Sequence, residues 1–176
     1  MKRTLCLMLI LLLIAGTCGC HYSDSRDVLE PVEFFYPRKS TGFVYGSADG
    51  VITSEIREAS GHVGDLNYLL AMYLQGPQDA GLRSPFPAGC ALEKVHTEDS
   101  TLYVRLSAEF AVLENAELTL ACASLAKTCF SMTDFDHVCI DAASDEKSFH
   151  MTLDVDSVLY SDHSAFESPA TEETPQ

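Results

Sequence analysis

The sequence predicts an α+β fold in which two helices pack on one face of a mostly antiparallel or mixed sheet. The expected order is strand-strand-helix-strand-strand-helix-strand-strand. Three observations carry this. Short runs of β-branched, aromatic and alternating residues occur in pairs. Two segments between those pairs repeat their apolar residues at helical spacing. The stretch between the polar ends is about 130 residues long, a single-domain length.

The elements follow in order. Val32-Glu33-Phe34-Phe35-Tyr36 is rich in β-formers and stops at Pro37, so it reads as a strand. Ile52-Thr53-Ser54-Glu55-Ile56-Arg57 alternates and reads as a second. Between them Phe43-Val44-Tyr45, with Gly46 and Asp49-Gly50, suggests a short hairpin or ordered loop. Leu66, Leu69, Leu70, Tyr73 and Leu74 recur at helical spacing behind Asp65, a good N-cap, and Gly76-Pro77 ends that helix. Strands are expected over 92–96 and 102–106, flanking a polar turn of Thr97-Glu98-Asp99-Ser100. Leu102, Val104 and Leu106 share one face of the second. Leu118, Cys122, Leu125 and Cys129 then form one apolar helical stripe within a helix over 114–130. Val138-Cys139-Ile140 and Met151-Thr152-Leu153-Asp154-Val155 close the fold as two strands around a polar loop.

The ends have a different character. Met1-Lys2-Arg3 and the apolar run over 5–14 form a positive n-region and an h-region too short to span a bilayer. Residues 1–19 are therefore expected to be a lipoprotein signal peptide. Gly19 stands directly before Cys20, the favoured lipidation site, with Cys18 behind Gly16-Thr17 as the alternative. A diacyl anchor together with an amide-linked chain would hold the domain at a membrane. Residues 20–31 read as a polar tether, 32–160 as the domain, and 161–176 as a disordered acidic tail.

The chain has 176 residues, 47% of them hydrophobic, and a formal net charge of −15. Losing the signal segment removes Lys2 and Arg3 but no acid, so the mature charge is more negative still. Such a surface repels phosphate backbones, which argues against nucleic acid as a partner. A second long apolar run is absent, which excludes a multi-span membrane protein.

Spacing brings no catalytic or metal site together. Cys90, Cys122, Cys129 and Cys139 could form two disulfides in three connectivities. Alternatively they are small buried thiols, the reading that the helical stripe favours for Cys122 and Cys129. No CxxC occurs in the mature domain, no two histidines stand at i, i+4, and His62, His96, His137 and His150 read as solvated or locally bonded. Ser107 lies outside any GxSxG elbow and is expected to cap the turn that follows it. Asp134, Asp136 and Asp141, or Asp154 and Asp156, lack EF-hand spacing. No cofactor, metal or enzymatic activity is expected.

Several blocks together resemble a known family. Phe35-Tyr36-Pro37, then Glu55-Ile56-Arg57, then Leu69-Leu70 through Gly76-Pro77 look like the opening half of a GerMN domain. Leu82-Arg83-Ser84-Pro85-Phe86-Pro87-Ala88-Gly89 and Leu102-Tyr103-Val104-Arg105-Leu106-Ser107-Ala108-Glu109-Phe110 continue the match, followed by the helix and the strand over 138–141. The resemblance spans roughly 33–141. It implies a lipid-anchored module of sporulation or spore germination in Gram-positive bacteria, similar in fold to ring-building modules and without catalytic residues. The chain departs from the pattern at Cys90, where Thr is more usual, at Arg105, where an acid is common, and in an enlarged 38–51 segment. It carries one copy of the domain.

Two functional expectations result. The first is a lipid-anchored, extracytoplasmic assembly module in sporulation or cell-envelope complexes, contacting exported or membrane proteins or a second copy of itself. Phe43 and Tyr45, aromatic residues between glycines in the enlarged segment, are its candidate interface. The alternative is an extracytoplasmic ligand-binding or sensing lipoprotein, whose acidic loops favour a cation or basic peptide.

Overall fold

The structure, a computed structural model, describes residues 30–39 and 50–159. The signal segment, most of the tether, the 40–49 stretch and the tail lie outside the described residues. The α+β class and the expected order of strands and helices hold.

Strands β1 (Pro31–Pro37) and β2 (Ile52–Glu58) pair antiparallel as a two-stranded sheet, with Phe34 opposite Glu55 and Val32 opposite Arg57. Val32, Phe34 and Tyr36 alternate inward, as the period of two requires. Helix α1 (Leu66–Leu74) follows; the Asp65 side chain accepts from the Tyr68 N–H at 3.1 Å, the N-cap that the sequence predicts. Leu69, Leu70 and Tyr73 are its buried face. Gly76, at φ +91°, turns the chain out of the helix, a conformation that favours glycine.

A four-stranded sheet runs β3-β4-β5-β6, with β3 Leu92–Glu98, β4 Thr101–Leu106, β5 His137–Ala143 and β6 Ser148–Asp154. β4 and β5 are parallel; the other pairs are antiparallel. A parallel pair needs a crossover. A 3-10 turn (Ala108–Val112) and the long helix α2 (Asn115–Met132) provide it, and a short helix α3 (Val155–Leu159) ends the described chain. Among the described residues no helix is long and apolar enough to cross a membrane.

Four local expectations change. The six strands form two sheets, because α2, together with Tyr73 of α1, lies along the outer edge of β1 and occupies its free backbone groups. The Phe35 N–H donates to Thr128 Oγ1 at 2.9 Å, Ser131 Oγ donates to the Glu33 carbonyl at 2.9 Å, and Tyr73 Oη donates to the Phe35 carbonyl at 2.8 Å. With that edge satisfied by hydroxyls, β1 has no ladder to offer a third strand. Second, Thr97 and Glu98 extend β3, leaving Asp99 and Ser100 as the turn; Asp99 takes the left-handed conformation at φ 51° that such a tight hairpin demands. Third, Val155 opens α3 and is not part of β6. Fourth, Ser107 Oγ accepts from the Ala91 N–H at 2.9 Å across the sheet and does not cap its own turn.

The core is one cluster between the layers. Phe34, Tyr36, Tyr73, Phe110, Leu125 and Ile140 are fully buried. The predicted stripe of α2 is inward at Cys122, Leu125 and Cys129 and partly buried at Leu118. The buried face is wider than a stripe, taking in Ala121, Ser124, Ala126 and Thr128, since α2 meets β1 as well as the larger sheet. All four described cysteines are free thiols.

Candidate functional site

The residues singled out from sequence for lipidation and contact, Cys20, Phe43 and Tyr45, lie outside the described residues. The segment that holds the last two leaves and rejoins the domain at a closed neck. There the Arg38 N–H donates to the Val51 carbonyl at 2.9 Å, and the Lys39 N–H to the Gly81 carbonyl at 2.9 Å.

The Glu55-Ile56-Arg57 block has a structural role. Arg57 Nε meets Glu55 Oε1 at 2.5 Å, and its Nη groups donate to the carbonyls of Gly76 (2.5 Å) and Met72 (3.3 Å) and to Tyr36 Oη (3.3 Å). The guanidinium also lies over the rings of Phe34 and Tyr36, at 5.3 and 5.7 Å from their centroids. Glu55 accepts from the N–H groups of Gln78 and Asp79, at 2.9 and 2.7 Å. The pair thus satisfies the end of α1 and the loop beyond it. Burial works to raise the Glu55 pKa. The hydrogen bonds from Asp79, Arg57 and Gln78 outweigh it and hold the carboxyl below its ordinary value.

The larger sheet has one face in the core and one facing water. Leu102, Val104 and Leu106 of β4 and Val138, Ile140 and Ala142 of β5 point inward. Their neighbours form three cross-strand rows on the other face: Glu98-Thr101-His137-Asp154, His96-Tyr103-Cys139-Thr152 and Lys94-Arg105-Asp141-His150. His137 Nδ1 meets Asp154 Oδ1 at 2.6 Å, and His150 Nδ1 meets Asp141 Oδ1 at 2.6 Å. His96 stacks on Tyr103 with centroids 4.8 Å apart. Here two basic residues face three acidic ones, a near balance in a chain with 11 Lys+Arg against 26 Asp+Glu.

Cys139 Sγ lies 3.7 and 3.8 Å from the two ring nitrogens of His150. The cysteine, histidine and carboxylate recur from thiol enzymes, but the geometry differs. The sulfur is nearly equidistant from both nitrogens, so it rests against the ring instead of along one nitrogen's lone pair. Cys139 is 1% exposed. Burial raises its thiol pKa, with Asp141 adding to the rise and Thr152 opposing it. A nucleophilic thiol needs the reverse on both counts. Sequence spacing gives no sign of this cluster, because only the β5–β6 register sets Asp141 opposite His150.

A separate open groove of about 890 Å³ runs between β2, α2 and β6, lined by Phe35, Ile52, Leu118, Cys122, Lys127 and Met151 among others.

Comparison with known proteins adds the following. A solved structure from Clostridium perfringens, described as "Putative Lipoprotein", is 19% identical; it covers 68% of this chain and 80% of its own, with a TM-score of 0.40. No curated protein matches. Residues 43–142 match the family Germane, described as sporulation and spore germination. That match takes in the Glu55–Arg57 clamp, both helices of the core, strands β3 and β4 of the larger sheet and all of β5 but its last residue, and on it the chain belongs to the Germane family of sporulation and spore germination domains.

Proposed function

We propose that the protein is a lipid-anchored, extracytoplasmic and non-catalytic module that assembles with exported or membrane proteins in sporulation or cell-envelope complexes. The observation that carries the proposal is family membership combined with an N-terminus that reads as a signal segment over 1–19, ending at Gly19 directly before Cys20. The chemically capable groups fit a binding role. Arg57 and Glu55 hold the fold together, and His137 and His150 are tied to carboxylates on an open, charge-balanced sheet face. The proposed contact is the 40–49 stretch with Phe43 and Tyr45, beside Val51, which is itself exposed. Apolar side chains on a surface loop are costly in water and are typical anchors of protein interfaces.

The test is affinity purification from membranes of cells entering sporulation, comparing the wild-type chain with the Phe43→Ser/Tyr45→Ser double variant. Loss of the co-purifying proteins, with an unchanged melting temperature, is the expected result. A fall in melting temperature would mean that the two aromatics pack as part of the fold. Unchanged binding and stability would remove the segment from the interface.

The groove favours a second reading, an extracytoplasmic ligand-binding lipoprotein. Its volume lies within the usual range for small-molecule sites. Binding of a fluorescent apolar probe, lost in Phe35→Asp but retained in the double serine variant, would support that reading over the first.

A further inference from the structure

We infer that Cys139, Asp141 and His150 form a surface site for a single zinc-type divalent cation on the open face of the larger sheet. This inference stands independently of the assembly proposal. One candidate ligand atom from each residue lies within 4.8 Å of the other two. Strand geometry explains the convergence. Cys139 and Asp141 are two apart on β5 and so share a face, while His150 stands directly opposite Asp141 on β6, diagonal to Cys139.

The distances suit the ion. Zinc takes sulfur at about 2.3 Å and imidazole nitrogen at about 2.0–2.1 Å, so a tetrahedral site separates sulfur from nitrogen by about 3.5 Å. The observed separations are 3.7 and 3.8 Å. The His150 ring must turn to aim one nitrogen's lone pair at the ion, and its Nδ1, now 2.6 Å from Asp141 Oδ1, must separate from that oxygen to admit it. They have room to do so, since the His150 side chain is 67% exposed and that of Asp141 25%. Thiolate, imidazole and carboxylate together match a borderline-soft ion, and hard cations such as calcium prefer all-oxygen sites.

The position of the sulfur is the second argument. Cys122 and Cys129 point into the core from α2, where a thiol serves as a small apolar filler. Cys139 is on the face away from the core, in one row with Tyr103 and Thr152 and beside Asp141 and His150 of the next row. Filling the apolar core does not explain a thiol on that face, since Cys139 is buried but lies outside the core cluster. Metal binding would form the sulfur–metal bond and break S–H, with the proton passing to buffer. Affinity should therefore tighten as pH rises.

The test uses the full chain, stripped of metal and titrated with cobalt(II) as a spectroscopic probe for zinc. The expected result is a thiolate-to-cobalt charge-transfer band that saturates at one equivalent through Cys139, disappears in Cys139→Ser and is displaced by zinc. Because Cys139 is buried, the exposed partners provide an independent check. His150→Ala and Asp141→Asn should each weaken zinc binding at least tenfold, a typical loss for a ligand or its support, with the melting temperature unchanged. A band that persists in Cys139→Ser overturns the inference. So does zinc affinity that is the same in wild type, His150→Ala and Asp141→Asn.

Discussion

Removing the Arg57 guanidinium should destabilise the domain more than any exposed substitution, and the magnitude can be worked from its contacts. The Arg57 side chain is 5% exposed and its Glu55 partner 10%, so this is a buried pair. Arg57→Ala takes the guanidinium donor from the Gly76 carbonyl, leaves the Met72 carbonyl only its bond from the Gln75 N–H, and withdraws a donor from Tyr36 Oη. Each buried hydrogen bond to a charged group is worth about 1.5–3 kcal/mol. Only the Glu55 and Gly76 contacts are short; those at 3.3 Å count for less. Breaking a buried pair from one side costs about 3–5 kcal/mol, and that is the expected loss for Arg57→Ala. Urea unfolding measures it, provided the slope with denaturant stays constant so that both variants expose the same surface. Arg105→Ala, at an exposed position on the open sheet face, is the control and should stay within about 0.5 kcal/mol of wild type. Glu55 adds a pH signature. Its folded pKa is depressed, so its contribution is fully present above the unfolded carboxylate pKa and is lost as pH falls through the folded value. Glu55→Gln should therefore flatten the acid limb of stability against pH. A loss below about 1 kcal/mol in Arg57→Ala would refute the claim that this pair holds the end of α1.

Other outcomes are expected. Leu125→Ala, at a fully buried position in α2, should cost about 2–5 kcal/mol in the same assay, and a loss under half a kilocalorie would contradict its place between the layers. Burial pushes the Cys122 and Cys129 thiols up to about 12 and Cys90 up to about 11. Native protein at neutral pH should therefore leave Cys122 and Cys129 unalkylated, as read by mass spectrometry, until denaturant is added. Cys20→Ala should release the chain from membranes or block its processing. Normal anchoring in that variant, with release by a Cys18 change, would move the lipid to Cys18.

Most of the fold was legible because its signals are local. Asp65 caps α1 and Gly76 ends it through chemistry confined to a few residues, and the inward residues of β1 and β4 follow the period of two. The division into two sheets was not legible, because it depends on three side-chain hydroxyls reaching β1 from distant parts of the chain. Thr128 is 93 positions from its partner Phe35, and Ser131 is 98 from Glu33. In a helical pattern these residues look like ordinary polar positions. The same proximity explains why the buried face of α2 is wider than its apolar stripe, since small residues such as Ala121 and Ala126 allow a second layer to approach.

The site divides along the same line. The blocks that carry the family resemblance, Glu55-Ile56-Arg57 and Gly76-Pro77 above all, meet each other in the structure as a clamp on the end of α1. A motif whose charged groups are spent on backbone carbonyls and loop N–H groups specifies a fold, so family membership by itself does not locate a working surface. That surface must lie where the motif leaves side chains free. On the open sheet face the outward positions of β4 and β5 are occupied by Tyr103, Arg105, Cys139 and Asp141, set between inward residues that the core fixes. The register that buries Val138 and Ile140 also brings Cys139, Asp141 and His150 together. A one-residue slip of β6 would bury its polar face and break up the cluster in the same step, so the stability of the core keeps the candidate metal site assembled.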